Sequence, residues 1–189
     1  MTISLDIITS TLIDPCRRVS AEQFRALRPK PTSAGLYAWW ADDEAQVVLG
    51  QSFEVTLSEL IYAGQTGATA WPSGRPSSAT LASRIGQQHF RGATSASTFR
   101  RTLASTLREP LGLIRNEANP DRLVKSSNER LTAWIADHLE VSFCAIADKD
   151  TLGEVEVKVL ERLDPPLNID HRPATPTRTR LTELRRWLR

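Results

Sequence analysis

The sequence has few of the residues that build disulfide frameworks and zinc sites. Two cysteines and three histidines occur among its 189 residues, and Cys16 and Cys144 lie far apart without a Cys-x-x-Cys motif. This composition argues against a disulfide scaffold and against a structural zinc site. We therefore expect reduced thiols and a cytoplasmic location.

Long hydrophobic runs are also absent. No stretch approaches the ~20 apolar residues that a membrane-spanning helix needs. The N-terminus lacks the basic segment followed by an apolar stretch that marks a signal peptide. The hydrophobic fraction of 40% and the charged fraction of 24% are ordinary for a globular chain. We expect no membrane partner, and 189 residues predict a single domain with its own core.

Acidic residues are missing from residues 60–108, which hold six arginines. Residues 172–189 hold six more arginines against a single acid, Glu183. The net charge is nevertheless only +2, because the two other blocks of the chain are net acidic. Either arginine block alone is equally well explained as a solvated face. Arginine is also the cation whose planar fork matches a phosphate group.

Hydrophobic periodicity predicts strands and helices that alternate irregularly along the chain. Strands are predicted at residues 35–41, 59–64 and 140–147, with an extra strand at 45–49. Helices are predicted at residues 20–27, 79–90, 97–108, 128–138, 152–163 and 180–189, with Ser20 and Ser97 as caps. This order predicts an α+β fold, in which helices flank a small, mainly antiparallel sheet and helical insertions interrupt the strands.

Glu156 is the most unusual residue of the predicted helices. The helix at 152–163 is expected to begin after Asp150, as its N-cap, and to end before Pro165. Glu156 falls near the middle of the apolar stripe of this helix, whereas Glu154 falls on the opposite face. An unpaired buried carboxylate costs several kcal/mol. Glu156 is therefore expected to face a cation, which is either a bound metal or a buried arginine.

Four further motifs accompany Glu156. Gly35-Leu36-Tyr37 lies in the first predicted strand and Tyr62-Ala63-Gly64 in the next, while Arg84 lies on the following helix. Pro165 and Asn168 follow Glu156 by nine and twelve residues. The motifs, in this order and with this final spacing, resemble the GIY-YIG nuclease family. The resemblance covers about residues 33–172.

The resemblance extends to Ser97–Arg101 and Leu131–Trp134, which are similar to two helices of bacterial members, but it has departures. The second tripeptide reads Tyr-Ala-Gly, and the interval between Tyr62 and Arg84 is longer than in compact members. A family histidine often stands four residues after the arginine. Here Gln88 occupies that position and His89 follows it, so His89 is either a helix-surface residue or a partner of a tyrosine or phosphate.

The resemblance implies a metal-dependent endonuclease that hydrolyses DNA phosphodiester bonds with an activated water. One phenol would activate the water while the other orients it, and we favour Tyr62 as the base. A phenol has a pKa of ~10, so such a base needs nearby positive charge. Asn168 is either a site residue or a brace of its loop. The implied catalytic set is Tyr37, Tyr62, Arg84, His89, Glu156 and Asn168.

The resemblance also implies the partners of the chain. Glu156 would bind a single Mg²⁺, for which Mn²⁺ substitutes, with waters completing the shell. No small-molecule cofactor is expected, and the protein would act as a monomer or as a homodimer formed on DNA. Together with the motifs, the arginine blocks favour a phosphate-backbone footprint. The arginines assigned to nucleic-acid binding are Arg75, Arg91, Arg100, Arg101, Arg180 and Arg185.

The expected organisation is one domain over residues 1–189. Its core would span 33–172, with an N-terminal extension at 1–32 and a basic C-terminal helix at 173–189. Two rival functions stay open. One is a non-catalytic nucleic-acid-binding module that retains the fold, and the other is an interaction domain whose arginine blocks are solvated faces.

Overall fold

A three-stranded antiparallel sheet lies at the centre of the computed structural model, which describes residues 4–69 and 77–189. The strands are β1 (Gly35–Ala41), β2 (Leu60–Thr66) and β3 (Leu139–Ala145), in the order β2-β1-β3. All seven residues of the central strand β1 are buried. The α+β class with a small antiparallel sheet is confirmed.

Helices surround this sheet on both faces. The α-helices of the described residues are α1 (Leu5–Ile13), α2 (Ala21–Ala26), α3 (Asp43–Gly50), α4 (Thr98–Thr106), α5 (Lys125–His138), α6 (Leu152–Leu163) and α7 (Pro176–Leu184). A π-helix spans Ala82–His89, and short 3₁₀ helices span Pro15–Arg17, Gln51–Phe53, Thr94–Ala96 and Arg185–Leu188. None of the helices in the described ranges is long and apolar enough to cross a membrane.

The two faces of the sheet bury different parts of the chain, because side chains alternate along a strand. Tyr37 and Trp39 project to the face covered by α2, the π-helix, α4 and α5. Leu36 and Trp40 project to the other face, which α1 and α6 cover. Each face therefore has its own core, and the π-helix and α6 approach the sheet from opposite sides.

The predicted strand at 45–49 is wrong, because residues 43–50 form α3. The carboxylate of Asp42 accepts a hydrogen bond from the backbone N–H of Ala45 (2.7 Å) and so caps the helix. Two acids in the first turn also interact favourably with the helix dipole. Ala45 and Leu49, one turn apart, are buried, whereas Val47 is 52% exposed. That burial pattern has the period of a helix.

The predicted caps have mixed outcomes. Ser20 forms a full capping box with Gln23, and the side chain of Ser97 caps α4, as expected. The prediction of Asp150 as the N-cap of α6 is wrong, because Thr151 occupies that position without a side-chain cap. The carboxylate of Asp148 accepts the backbone N–H of Thr151 instead (3.4 Å). The N-terminal helix α1 was not predicted, since its sequence mixes apolar and polar residues.

Candidate active site

The two motif tyrosines lie on one face of the sheet because β1 and β2 pair in antiparallel register. Tyr37 stands opposite Gly64, and Trp39 stands opposite Tyr62. A Cβ atom at Gly64 would lie 2.7 Å from the Tyr37 hydroxyl oxygen, so glycine leaves room for that phenol. A Cβ atom at Gly35 would lie 2.2 Å from the carbonyl oxygen of Cys144 on β3. Gly64 is therefore required by the Tyr37 phenol, and Gly35 by the close approach of β3.

Tyr37 is the buried member of the pair. Its side chain is 3% exposed, and its hydroxyl oxygen lies 2.9 Å from Nε2 of His89. Nδ1 of His89 lies 2.8 Å from the hydroxyl oxygen of Ser97. Burial, followed by the charges of Arg84 and Arg100, lowers the pKa of His89 well below its usual value. A neutral imidazole has one donor and one acceptor nitrogen, so His89 connects Tyr37 and Ser97 in one hydrogen-bonded chain.

The π-helix explains how His89 can lie on the same side as Arg84, although it follows Arg84 by five residues and the family histidine often follows by four. In a π-helix the hydrogen bonds run from residue i to residue i+5, as the bond from Phe90 N–H to the Ile85 carbonyl does (2.9 Å). Residues five apart then lie one above the other, as residues four apart do in an α-helix. The helix therefore presents Arg84 and His89 on the same side. The buried position of His89 resolves the two sequence alternatives in favour of a tyrosine partner.

Arg84 is half-buried beside both phenols. Its Nη1 donates a hydrogen bond to Oε1 of Gln88 (2.6 Å), while its Nε is buried and has no acceptor among the described residues. Burial raises the pKa of Tyr37, Tyr62 and Glu156, and the charge of Arg84 opposes each of these shifts. An incompletely paired guanidinium so close to these groups can receive an anion.

Glu156 and Asn168 reach the free edge of β2 from α6 and from the loop that follows it. Oδ1 of Asn168 accepts the backbone N–H of Ala63 (2.9 Å), and Nδ2 donates to the Ala63 carbonyl (2.8 Å). The backbone N–H of Gln65, two residues along the same edge, donates to the carboxylate of Glu156. The Asn168 side chain thus acts as a brace between this loop and the strand of Tyr62, which was one of its two predicted roles.

Glu156 is a carboxylate with no cationic partner among the described residues. The stripe of Leu152, Val159 and Leu160 is buried as predicted, and Glu156 lies partly buried among these residues. Burial raises the pKa of Glu156 to about 7, although the Gln65 N–H and the charge of Arg84 oppose the shift. No ion pair within 4 Å joins Glu156 to a described residue. The alternative of a structural arginine partner therefore finds no support in the described part of the chain.

A cavity of about 130 Å³ joins Glu156 to Tyr62. Burial raises the pKa of Tyr62 above its usual range, and Glu156 raises it further, while Arg185 and then Arg84 lower it. The phenol is thus protonated at neutral pH in the free protein. Sequence reasoning missed Asp170, which lines this cavity but stands in no motif, and it gave no role to Thr98 of the Ser97–Arg101 segment, which also lines the cavity. The lining residues are Tyr62, Thr98, Glu156, Leu160, Leu167, Asn168, Ile169, Asp170, His171 and Arg185.

Comparison with known proteins adds one finding to this geometry. A family model described as the GIY-YIG catalytic domain matches residues 35–187, which is most of the chain. The chain belongs to the GIY-YIG family. Searches of curated proteins and of solved structures returned no match. Membership of this family indicates a nuclease, and GIY-YIG nucleases generally use divalent metal ions.

The residues of this GIY-YIG site fit a divalent cation of that kind. No group of three or more His, Cys, Asp or Glu side chains that could hold a metal occurs in residues 4–69 and 77–189. Magnesium commonly binds through one or two carboxylates and retains several waters. Glu156 supplies one carboxylate that no described cation pairs with, Asp170 lines the same cavity, and the volume admits several water molecules.

The arginines predicted to bind nucleic acid have very different positions around the GIY-YIG site. Arg75 lies outside the described residues. Arg91 is exposed, and Arg180 is exposed with Nη1 donating to Glu183 (3.1 Å). Arg185 lines the cavity itself, although the sequence suggested a role outside the active site.

Arg100 does not belong to the nucleic-acid-binding set. Its side chain is 0% exposed, and its guanidinium donates to the backbone carbonyls of His89 and Phe90 (3.0 Å each). A second nitrogen donates to Asn128 and Thr132. Both terminal nitrogens of this guanidinium donate to interior acceptors, and the side chain is closed off from solvent. Its neighbour Arg101 is half-buried, and its side chain donates no hydrogen bond to a described residue.

Proposed function

We propose that this GIY-YIG protein is a metal-dependent endonuclease that hydrolyses phosphodiester bonds of DNA by attack of an activated water. The observation that carries the proposal is the pairing of Glu156 with Tyr62 in one cavity, where neither group has an ion-pair or hydrogen-bonding side-chain partner among the described residues. A structural carboxylate would be expected to have a basic partner. A carboxylate that binds a metal needs an open position beside it.

Glu156 would hold the metal, with water molecules in the remaining positions. A bound divalent ion would polarise the phosphate and stabilise the leaving 3′ oxygen. Arg84 would bind the scissile phosphate, because its Nε has no acceptor in the described part of the chain and its planar fork matches two phosphate oxygens. Positive charge that Arg84 places at the phosphate also offsets the charge that develops in the transition state.

Tyr62 is the better candidate for the base, and Tyr37 for the group that orients the water or phosphate. Tyr62 lines the cavity, whereas the hydroxyl group of Tyr37 is already occupied by His89. Both phenols have a raised pKa in the free protein, chiefly through burial. Deprotonation of Tyr62 during the reaction would therefore depend on the surrounding cations, which favour the phenolate.

The organisation and biology of the protein belong to the same proposal. We infer that residues 1–189 act as one domain with its core at 33–172, as a monomer or as a homodimer formed on DNA. DNA rather than RNA, Mg²⁺ with Mn²⁺ as substitute, a cytoplasmic location and a bacterial source stay predictions from the sequence.

The test is cleavage of supercoiled plasmid by the wild type, Glu156→Ala and Glu154→Ala, each with Mg²⁺, Mn²⁺ or EDTA. We expect metal-dependent nicking or linearisation by the wild type and by Glu154→Ala, because Glu154 is exposed on the opposite face of α6. Glu156→Ala should lose cleavage while DNA binding persists. Equal cleavage by both variants would contradict the metal-ligand assignment. Binding without cleavage by the wild type would favour the non-catalytic module.

A further inference from the structure

The C-terminal segment places an arginine in the active-site cavity. Arg185 begins the 3₁₀ helix that follows α7, and its side chain lines the same cavity as Tyr62 and Glu156. We propose that Arg185 is a second phosphate-binding cation of the active site, acting beside Arg84 on the substrate backbone. This inference rests on the proposed function, since it names a further substrate contact in the same site.

The backbone that carries Arg185 is firmly anchored. Leu181 and Leu188, on either side of it, are each 0% exposed. The carbonyl of Trp187 accepts a hydrogen bond from Nη1 of Arg115 (3.2 Å), and the 3₁₀ helix packs against α4. The backbone of Arg185 is therefore held in place beside the cavity. Such fixed placement is what binding at a defined position of a substrate requires.

The Arg185 guanidinium has no partner in the described part of the chain. It donates no side-chain hydrogen bond to a described residue, and its buried Nε lacks an acceptor. Asp170 lines the same cavity but lies beyond 4 Å, the limit for an ion pair. Burial lowers the pKa of Arg185; Tyr62 and Asp170 partly oppose this shift, while the like charges of Arg101 and Arg189 add to it. A partly buried cation beside other cations is unfavourable until an anion joins it.

The anion that best fits this position is a backbone phosphate. Arginine presents parallel N–H donors to phosphate oxygens. A phosphate bound by Arg185 would lie beside Tyr62, the candidate base, and Glu156, the candidate metal ligand. Of the cations near Tyr62, Arg185 lowers the pKa of this phenol more than Arg84 does. Arg185 would therefore hold the substrate and, by the same charge, favour the phenolate form of Tyr62.

The first arm of the test measures single-turnover cleavage by the wild type, Arg185→Gln and Arg186→Gln. Arg186 is the matched control, because it is the next residue of the same 3₁₀ helix and is exposed. We expect a loss of ~10²-fold for Arg185→Gln, as for removal of one donor to a transition-state anion, and little change for Arg186→Gln. The rising limb of the pH–rate profile should move to higher pH only in Arg185→Gln. Equal rates and profiles for the two variants would overturn the inference.

A second arm does not depend on cleavage. Binding of a short fluorescein-labelled DNA duplex is measured in EDTA over a range of salt concentrations. Loss of one phosphate contact reduces the salt slope by about 0.9, which we expect for Arg185→Gln beyond any change in Arg186→Gln. An unchanged slope and affinity would overturn the inference even if the wild type cleaves DNA. If the wild type binds but does not cleave, the proposed function fails while this comparison still decides the role of Arg185.

The melting temperature and the variant Arg185→Lys serve as controls for correct folding. Because Arg185 bonds to no described residue, Arg185→Gln should melt at the wild-type temperature. Arg185→Lys keeps the charge but loses the fork, so we expect an intermediate rate with a pH profile close to the wild type. Wild-type rate and salt slope in both variants would reject a phosphate contact at this position.

Discussion

The two arginine-rich segments of the chain divide their arginines in the same way. Each contributes one arginine that braces the interior, Arg100 or Arg178, and one that borders the active site and donates to no backbone carbonyl of the described residues, Arg84 or Arg185. Before folding, these residues are chemically identical. Backbone carbonyls around the guanidinium distinguish the two classes, because a guanidinium that donates to several carbonyls is held in the interior, whereas one without such acceptors can bind an anion.

Each bracing arginine holds the backbone beside a site residue. Arg100 donates to the carbonyls of His89 and Phe90, where the last carbonyls of the π-helix would otherwise be unpaired. Arg178 is 3% exposed, and its Nε donates to the carbonyl of Asn168 (2.8 Å). It also pairs with Asp164 (2.7 Å). The braces therefore act on the site indirectly, by fixing His89 and Asn168.

The largest effect on stability should come from substitution of a bracing arginine. Arg100→Ala leaves several buried acceptors unpaired and creates a cavity, so we expect a loss of roughly 3–5 kcal/mol in the free energy of unfolding. Arg101→Ala is the matched control on the same helix. Arg101 donates no hydrogen bond to a described residue, so its loss should cost less than about 1 kcal/mol. Urea denaturation measures both, and equal losses would contradict the division into two classes.

The next effect is expected at Arg84, where a substitution should lower the cleavage rate and leave the stability of the fold nearly unchanged. Arg84→Lys retains the charge but not the planar fork, so we expect cleavage to fall by roughly 10²–10³-fold. Its melting temperature should stay within a few degrees of the wild type, because the side chain has a single hydrogen-bond partner, Gln88. A stability loss comparable with that of Arg100→Ala would place Arg84 among the braces.

The smallest effect is a pH dependence of stability that comes from Glu156. The pKa of Glu156 in the folded protein is about 7, above its value of ~4.3 in an unfolded chain. The folded state therefore binds more protons between these values, and stability falls as the pH rises from about 4.5 through 7. Glu156→Gln should remove this loss of stability. Without metal at pH 8, we expect the free energy of unfolding of the variant to exceed that of the wild type by about 1–3 kcal/mol.

Glu154→Gln controls for the change in net charge, since Glu154 is exposed. Thermal or urea unfolding in EDTA across this pH range makes the comparison. If wild type and Glu156→Gln lose stability in parallel, the raised pKa of Glu156 is refuted. Addition of Mg²⁺ at pH 8 should stabilise the wild type and leave Glu156→Gln unchanged, because a ligand stabilises only the state that binds it.

Much of the site was predictable because its signals are local. The motif tripeptides, the apolar stripe around Glu156 and the spacing to Asn168 are properties of short segments, and strands and helices follow hydrophobic periods of two and 3.6 residues. The wrong prediction of a strand at 45–49 also came from reliance on a local signal. Ala-Gln-Val-Val-Leu is too short a segment to distinguish the two periods, and the cap of Asp42 decided for a helix.

The sequence by itself determined the family, the α+β class and the identity of the motif residues, since these depend on residue order and local pattern. Only the tertiary structure decided the partners of individual side chains. Arg100 turns inward because carbonyls distant in sequence surround it, His89 reaches Tyr37 because the helix widens by one residue per turn, and Arg185 enters the cavity because its helix packs on α4. Partners are set by contacts between distant segments, and charge composition does not encode them.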